Sequence, residues 1–358
     1  MFQPFPSIFY KAAMDRREAQ EIFLTFVNQL PPQASIHILG HSDADGLTAS
    51  TILARSLRAK GFRAEAEVTR KGENAWSPSV LQKIENYHPA ALIVTDLGSR
   101  EDPLVPHLPT LLIDHHKPTG IPPGATLLSG YGTEPTPTSG LLAFYCAEAL
   151  QTSQDLDWLA AVSILADLGD KTDFPEWRES RRKYGAKNLR ETATLLNAPR
   201  RAGEGNAQPA LELLLENADL AALLSDKRIE TLRAAKEEYN AALAVARRAA
   251  PKFNQPDKTV ALIVVNTPCQ VHPVIAQMWI GRLKEQIVIC ANTGFLPDRI
   301  NFAARTKLPV NLIDFLAKHK PSGAGPDFGR GHDQATGGSL VLLQWSEFLR
   351  SLGFLSYS

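Results

Sequence analysis

Apolar positions follow two rhythms along this chain. Over residues 1 to 197, short apolar runs alternate with longer stretches whose apolar positions recur roughly every three to four residues. Ser35-Ile36-His37-Ile38-Leu39, Ala90-Ala91-Leu92-Ile93-Val94 and Thr110-Leu111-Leu112-Ile113 are short and apolar, the pattern of buried parallel strands. Glu65-Ala66-Glu67-Val68 is a weaker strand. Helical spacing covers residues 47–60, 137–150 and 155–165. This alternation predicts an α/β domain with a mostly parallel sheet flanked by helices. Residues 225–249 then read as one long helix, with Ser225 as N-cap, Asp226 in the first turn and Pro251 as its stop. Ile229, Leu232, Tyr239, Leu243 and Ala246 mark its apolar stripe. About 24 residues at 1.5 Å each give roughly 36 Å, the length of a strut between domains; the alternative is a solvated amphipathic helix inside one domain. After it, residues 259–265, 286–290, 299–303 and 340–343 read as strands and 275–284 and 310–318 as helices, a second and smaller α/β domain.

Composition narrows the class. The 358 residues suit two domains, and 44% hydrophobic content excludes wholesale disorder. Lys+Arg and Asp+Glu balance at 38 each, so any nucleic-acid contact needs a local basic face. No apolar run is long enough to span a bilayer, and Met1-Phe2-Gln3-Pro4-Phe5-Pro6 lacks the features of a secretory leader. Cys146, Cys269 and Cys290 form no paired motif, which points to a reducing cytoplasm. The pattern sets no oligomeric state.

Four places carry chemistry. The first strand runs into His41-Ser42-Asp43-Ala44-Asp45-Gly46, the strand at 90–94 into Thr95-Asp96, and the strand at 110–113 into Asp114-His115-His116. The apolar helix through Ala160 and Leu165 runs into Asp167, which is preferred to Asp170 and Asp173 because it closes the apolar run. Ligands of open α/β sheets sit beyond the carboxyl ends of the strands, so these strings can converge on one cleft. Buried charge there demands compensation, and metal ions would supply it. Imidazole and carboxylate donors without thiolates suit Mn, and less selectively Fe, Co, Zn or Mg. Two cations roughly 3.5–4 Å apart would clamp a phosphoryl group and generate a hydroxide near neutral pH. Gly46 is read as permitting a tight turn into the following helix. His37 reads as a core or sheet-face histidine, and His88 and His107 as solvated.

These strings resemble the four motifs of the DHH phosphoesterase superfamily, which includes RecJ exonucleases, nanoRNases, cyclic-dinucleotide phosphodiesterases and family II pyrophosphatases. The resemblance implies that His41, Asp43 and Asp96 hold one metal and that Asp45, Asp96, His115 and Asp167 hold the other. By the same resemblance Asp96 would bridge, His116 would face the substrate phosphate and Asp114 would orient an imidazole. His41 departs from RecJ, which more often has Asp there. Two divalent ions are implied, Mn2+ ahead of Mg2+ or Co2+. Downstream, Gly329-Arg330-Gly331-His332 and Ala335-Thr336-Gly337-Gly338 resemble the glycine signature of the DHHA1 domain, with Arg330 where the family usually has Gly. Glycine this dense suits close backbone approach to an anion. Arg305 resembles the arginine that grips a phosphate or base next to the scissile one in DHHA1 domains. This second domain argues against a pyrophosphatase, and Asn197-Ala198-Pro199-Arg200-Arg201 resembles the connector after the RecJ catalytic domain.

The expected organisation is therefore a DHH catalytic domain at 1–197, a helical connector at 198–255 and a DHHA1 substrate-binding domain at 256–358. Basic candidates for a nucleic-acid face are residues 181–187, Arg200, Arg201, Arg247, Arg248 and the loop from Arg70 to Trp76. No oligonucleotide-binding barrel follows the glycine loop, which points to short single strands or oligonucleotides. Three functions stand: a RecJ-like exonuclease on single-stranded nucleic acid; a phosphodiesterase or phosphatase for nanoRNA, cyclic dinucleotides or phospho-nucleotides; and a non-catalytic nucleic-acid-binding protein of RecJ-like shape.

Overall fold

The computed structural model describes residues 14–325 and 328–354. The stretch at residues 1–6, Pro326-Asp327 and the Arg330 side chain lie outside that description. The first elements are α1 (Arg16–Asn28), β1 (Ser35–Gly40), α2 (Ala44–Ala59), β2 (Arg63–Val68), α3 (Pro78–Tyr87), β3 (Ala91–Thr95), β4 (Thr110–Asp114) and β5 (Ala125–Ser129). Helices follow: α4 (Ser139–Ala149), α5 (Asp157–Leu168), α6 (Pro175–Tyr184), α7 (Ala186–Arg201), α8 (Gln208–Glu216), α9 (Leu220–Ser225) and α10 (Ile229–Ala246). The rest comprises β6 (Lys252–Phe253), β7 (Val260–Val265), α11 (His272–Ile280), β8 (Ile287–Leu296), β9 (Arg299–Thr306), α12 (Leu312–Lys318), β10 (Arg330–His332), β11 (Ala335–Val341) and α13 (Leu342–Ser351). The chain divides into two compact units: residues 1–200 with 206–233, and 201–205 with 234–358.

In the first unit five strands run parallel in the order β2-β1-β3-β4-β5. Both faces are covered, which is why these strands are almost continuously apolar. Ile36, Ile38, Ile93, Leu111 and Ile113 pack on one face with helices α2, α4 and α5, while Leu39, Leu92, Val94 and Leu112 pack on the other. The order reverses between β1 and β3, so their carboxyl ends open a crevice. In the second unit the order is β10-β11-β9-β8-β7-β6, parallel only between β7 and β8. Phe302, Phe328, Trp345 and Phe348 fill one face; Ile263, Val288, Cys290 and α11 fill the other.

Several element ends differ from the sequence reading. Helix α2 begins at Ala44 rather than near Leu47, because Asp43 caps it and accepts from Gly46 N–H at 3.1 Å. The long helix begins at Ile229. Ser225 ends α9 instead, and Asp226 takes the Arg228 N–H at 2.9 Å. Leu342 and Leu343 open α13 rather than closing a strand. The helix expected at 275–284 begins earlier, at His272, with Pro273 in its first turn, where a missing N–H costs nothing.

Candidate metal centre

Gly46 lies inside α2, so a turn is not what requires glycine. A Cβ there would sit 2.3 Å from the His41 carbonyl oxygen. The helix start and the end of β1 approach so closely that no side chain fits, which folds Asp43 and Asp45 back toward His41. Asp96 follows β3 with φ +63°, a left-handed conformation that Asp tolerates better than most residues. Its N–H donates to Ile113 O at 3.1 Å, and His41 N–H donates to Thr95 O at 3.1 Å. The strand ladder thus carries on into the residues that bear the chemistry.

The acidic and imidazole groups converge as the sequence spacing predicts. His41 Nδ1 lies 2.9 Å from Asp43 Oδ2 and 3.4 Å from Asp96 Oδ2. His115 Nε2 lies 3.2 Å from Asp167 Oδ2, 3.4 Å from Asp96 Oδ1 and 3.7 Å from Asp45 Oδ2. One oxygen of Asp96 therefore faces each imidazole. Asp170 and Asp173 are taken by Arg190 and Arg178, each at 2.5 Å. Of the three neighbouring aspartates only Asp167 turns inward.

Hydrogen bonds fix the rest. Buried Asp45 accepts Ser139 N–H at 2.9 Å, Gly140 N–H at 2.7 Å and the Ser163 hydroxyl at 2.5 Å. Two of these donors are first-turn amides of α4, which otherwise lack partners and carry partial positive charge. Ser139 Oγ also donates to Asp96 Oδ1 at 3.1 Å, a positioning contact that no motif signals. Asp114 accepts Gly98 N–H at 2.6 Å, His116 N–H at 2.7 Å and His116 Nδ1 at 2.9 Å.

Electrostatics follow from this crowding. Burial, with Asp96 and Asp167 close by, raises Asp45 well above the usual carboxylate range. Burial acts the same way on Asp43, but His41 and Arg200 overcome it and hold Asp43 well below that range. Burial would lower both histidines, yet Asp43 and Asp96 lift His41 to about 10, and Asp167, Asp96 and Asp45 lift His115 to about 12.

Divalent cations fit this site by an independent sign. His41 Nδ1 and His115 Nε2 are buried with no hydrogen-bond partner among the described residues, each within reach of a set of carboxylate oxygens. The sets His41–Asp43–Asp96 and Asp45–His115–Asp167 each bring donor atoms within 4.8 Å of one another. Asp96, His115 and His116 form a third such set. There, however, His116 Nδ1 is already engaged by Asp114.

The remaining sequence candidates are placed as follows. The glycine loop is a hairpin in which β10 pairs antiparallel with β11. Its glycines serve strand packing: a Cβ on Gly337 would lie 2.4 Å from Phe302 O, and Gly338 faces the Phe302 ring. Gly329, Gly331 and His332 belong to the same hairpin, and Gly329 N–H donates to Gly337 O at 2.9 Å. Arg305, in β9 just before its last residue Thr306, is partly buried and donates to Ala304 O at 2.8 Å and Thr336 O at 3.3 Å. Sequence reasoning missed His272, buried at the start of α11 with Nδ1 unpartnered among the described residues. Burial and nearby Arg305 push it down to about 3. Trp76 is no free stacking platform, since Nε1 donates to Asp102 O at 2.9 Å and Arg100 covers the ring. His37 is buried between Glu67 and the Tyr87 ring, whereas His88 and His107 are exposed.

Among the described residues, no helix is long and apolar enough to cross a membrane. Residues 35–170 match the DHH family, N-terminal domain. No curated protein matches the chain significantly. Among solved structures, an exonuclease RecJ bound to manganese superposes over 95% of this chain and 95% of its own, with TM-score 0.68 and 19% identity. RecJ in complex with Mn2+ from Thermus thermophilus covers 97% of this chain at TM-score 0.69 and 20% identity, and this chain spans 55% of that one. The DHH domain of a member of the s1p family of ribosomal proteins covers 96% of this chain and 92% of its own, with TM-score 0.66 and 15% identity. Residues 35–170 therefore match a DHH-family N-terminal domain, and the chain has a RecJ-like fold.

Proposed function

We propose that this protein is a two-metal phosphodiesterase that hydrolyses nucleic-acid phosphodiester bonds, acting as a RecJ-like exonuclease on single-stranded DNA or short oligonucleotides. The observation that carries the reading is Asp96, whose two oxygens face His41 and His115 at 3.4 Å each. His41, Asp43 and Asp96 would hold one ion; Asp45, Asp96, His115 and Asp167 would hold the second. The thiolate-free donor set favours Mn2+, with Mg2+ or Co2+ as alternatives. When bound, such a pair supplies a hydroxide near neutral pH and offsets charge building on phosphorus.

The chain's own groups do the rest. Asp114 fixes the His116 ring through Nδ1 and leaves Nε2 for a phosphate oxygen. Despite burial, which opposes it, the bond to Asp114 raises His116 above its ordinary value and so favours the protonated ring. Ser139 and the first turn of α4 keep Asp45 and Asp96 in place. We assign residues 1–197 to catalysis, 198–255 to a connector and 256–358 to substrate binding. There the Arg305 guanidinium donates only to main-chain carbonyls among the described residues and keeps other N–H groups for a phosphate.

The test is a panel of labelled substrates with Mn2+. A ladder of mononucleotide steps from single strands supports the proposal. Cleavage confined to two- to five-mers, cyclic dinucleotides or phospho-nucleotides moves the assignment to small substrates. No hydrolysis with metal bound leaves a binding protein.

A further inference from the structure

The last turns of α7 touch the segment that carries the metal-binding groups. Asn197 Oδ1 accepts the Ala44 N–H at 3.1 Å, satisfying one of the first-turn amides of α2. Arg200, three residues on, places Nη2 3.8 Å from Asp43 Oδ2. That separation is too long for a hydrogen bond. Arg200 Nε is buried and has no hydrogen-bond partner among the described residues. A buried charged donor without an acceptor is costly, so an acceptor is missing. Asp43 does not supply it, because its Oδ2 stays 3.8 Å from Nη2 and Nε makes no hydrogen bond with it.

The open donor therefore sits beside the His41–Asp43–Asp96 cluster and fits an anion that the described residues do not supply. A guanidinium offers two parallel N–H groups, the geometry that matches two oxygens of a phosphoryl group. We propose that Arg200 contacts the phosphate at this centre, donating to an oxygen of the phosphoryl group under attack and of the product that remains. The inference rests on the phosphoesterase reading above and adds to it a residue outside the four metal motifs.

The experiment uses the full chain, with Mn2+ and inorganic phosphate as probes. Mn2+ binding is followed by electron paramagnetic resonance, and phosphate binding to the Mn2+-loaded protein by calorimetry, for the unmutated protein, Arg200→Gln and Arg200→Lys. In Arg200→Gln, Mn2+ affinity is expected to stay within about threefold, unlike the ten- to hundredfold loss of a group that supports a metal ligand. Phosphate binding is expected to weaken about ten- to hundredfold, as for a lost bond to a charged group, and Arg200→Lys to regain part of it. On a cleaved substrate the loss falls on KM and kcat together. Phosphate affinity unchanged in Arg200→Gln overturns the inference. So does loss of Mn2+, which would make Arg200 a support for Asp43, and so does an unmutated Mn2+-loaded protein that takes up no phosphate. An unmutated protein that binds no Mn2+ instead defeats the phosphoesterase reading itself, a result visible before any variant is made.

Discussion

Mn2+ binding is expected to weaken about tenfold per ion when the pH falls from about 8 to about 7. The reason lies in the imidazoles. With no ion present, His41 is held at about 10 by Asp43 and Asp96, and His115 at about 12 by Asp167, Asp96 and Asp45, in both cases against the effect of burial. Both carry a proton at neutral pH, on the very nitrogens a cation must use. Each ion then displaces one proton, and each displaced proton is worth a factor of ten, about 1.4 kcal/mol, per pH unit. Two ions give about a hundredfold combined. Asp45, held above the usual carboxylate range, adds to this at acid pH. Calorimetry in two buffers of different ionisation heat counts the protons. About one per ion is expected, and His41→Gln should leave one ion and one proton. Proton release near zero, with affinity independent of pH, refutes the reasoning. The same ion pairs stabilise the metal-free fold below the ordinary imidazole value of 6.5, and that contribution is lost as pH rises through about 10 for His41 and about 12 for His115.

Asp96→Ala should abolish turnover and release both ions, because each site loses a donor; a near-normal rate in a Mn2+-dependent assay contradicts this. Gly46→Ala drives a Cβ to 2.3 Å from the His41 carbonyl oxygen and should lower stability by about 1–3 kcal/mol in denaturant melts while weakening Mn2+ binding. Arg305→Ala or His332→Ala should raise KM and leave Mn2+ affinity unchanged; unaltered KM in both removes the second unit from the mechanism.

Some elements were legible because one force dominates them. Strands β1, β3 and β4 are buried on both faces, so they read as short apolar runs, and the groups at their ends could be located from sequence. Strand β5 was not, since Ala125-Thr126 and Ser129 leave only Leu127-Leu128 as an apolar signal. Asp167 was separable from Asp170 and Asp173 by position alone, but its physical basis, the two arginines that claim its neighbours, is a tertiary matter. The glycines near residue 330 were read as room for an anion; hairpin packing against β9 explains Gly337 and Gly338 as well. Ser139 and His272 gave no sequence signal, because their importance depends on what lies across from them. Asp43 shows how one residue answers to two rules, capping α2 and facing His41.

The most direct test is anomalous diffraction at the manganese edge from crystals grown with Mn2+. Two peaks roughly 3.5–4 Å apart, with Asp96 between them and His41 and His115 on opposite sides, are what the account predicts. A single peak, or ions that do not share Asp96, would contradict it.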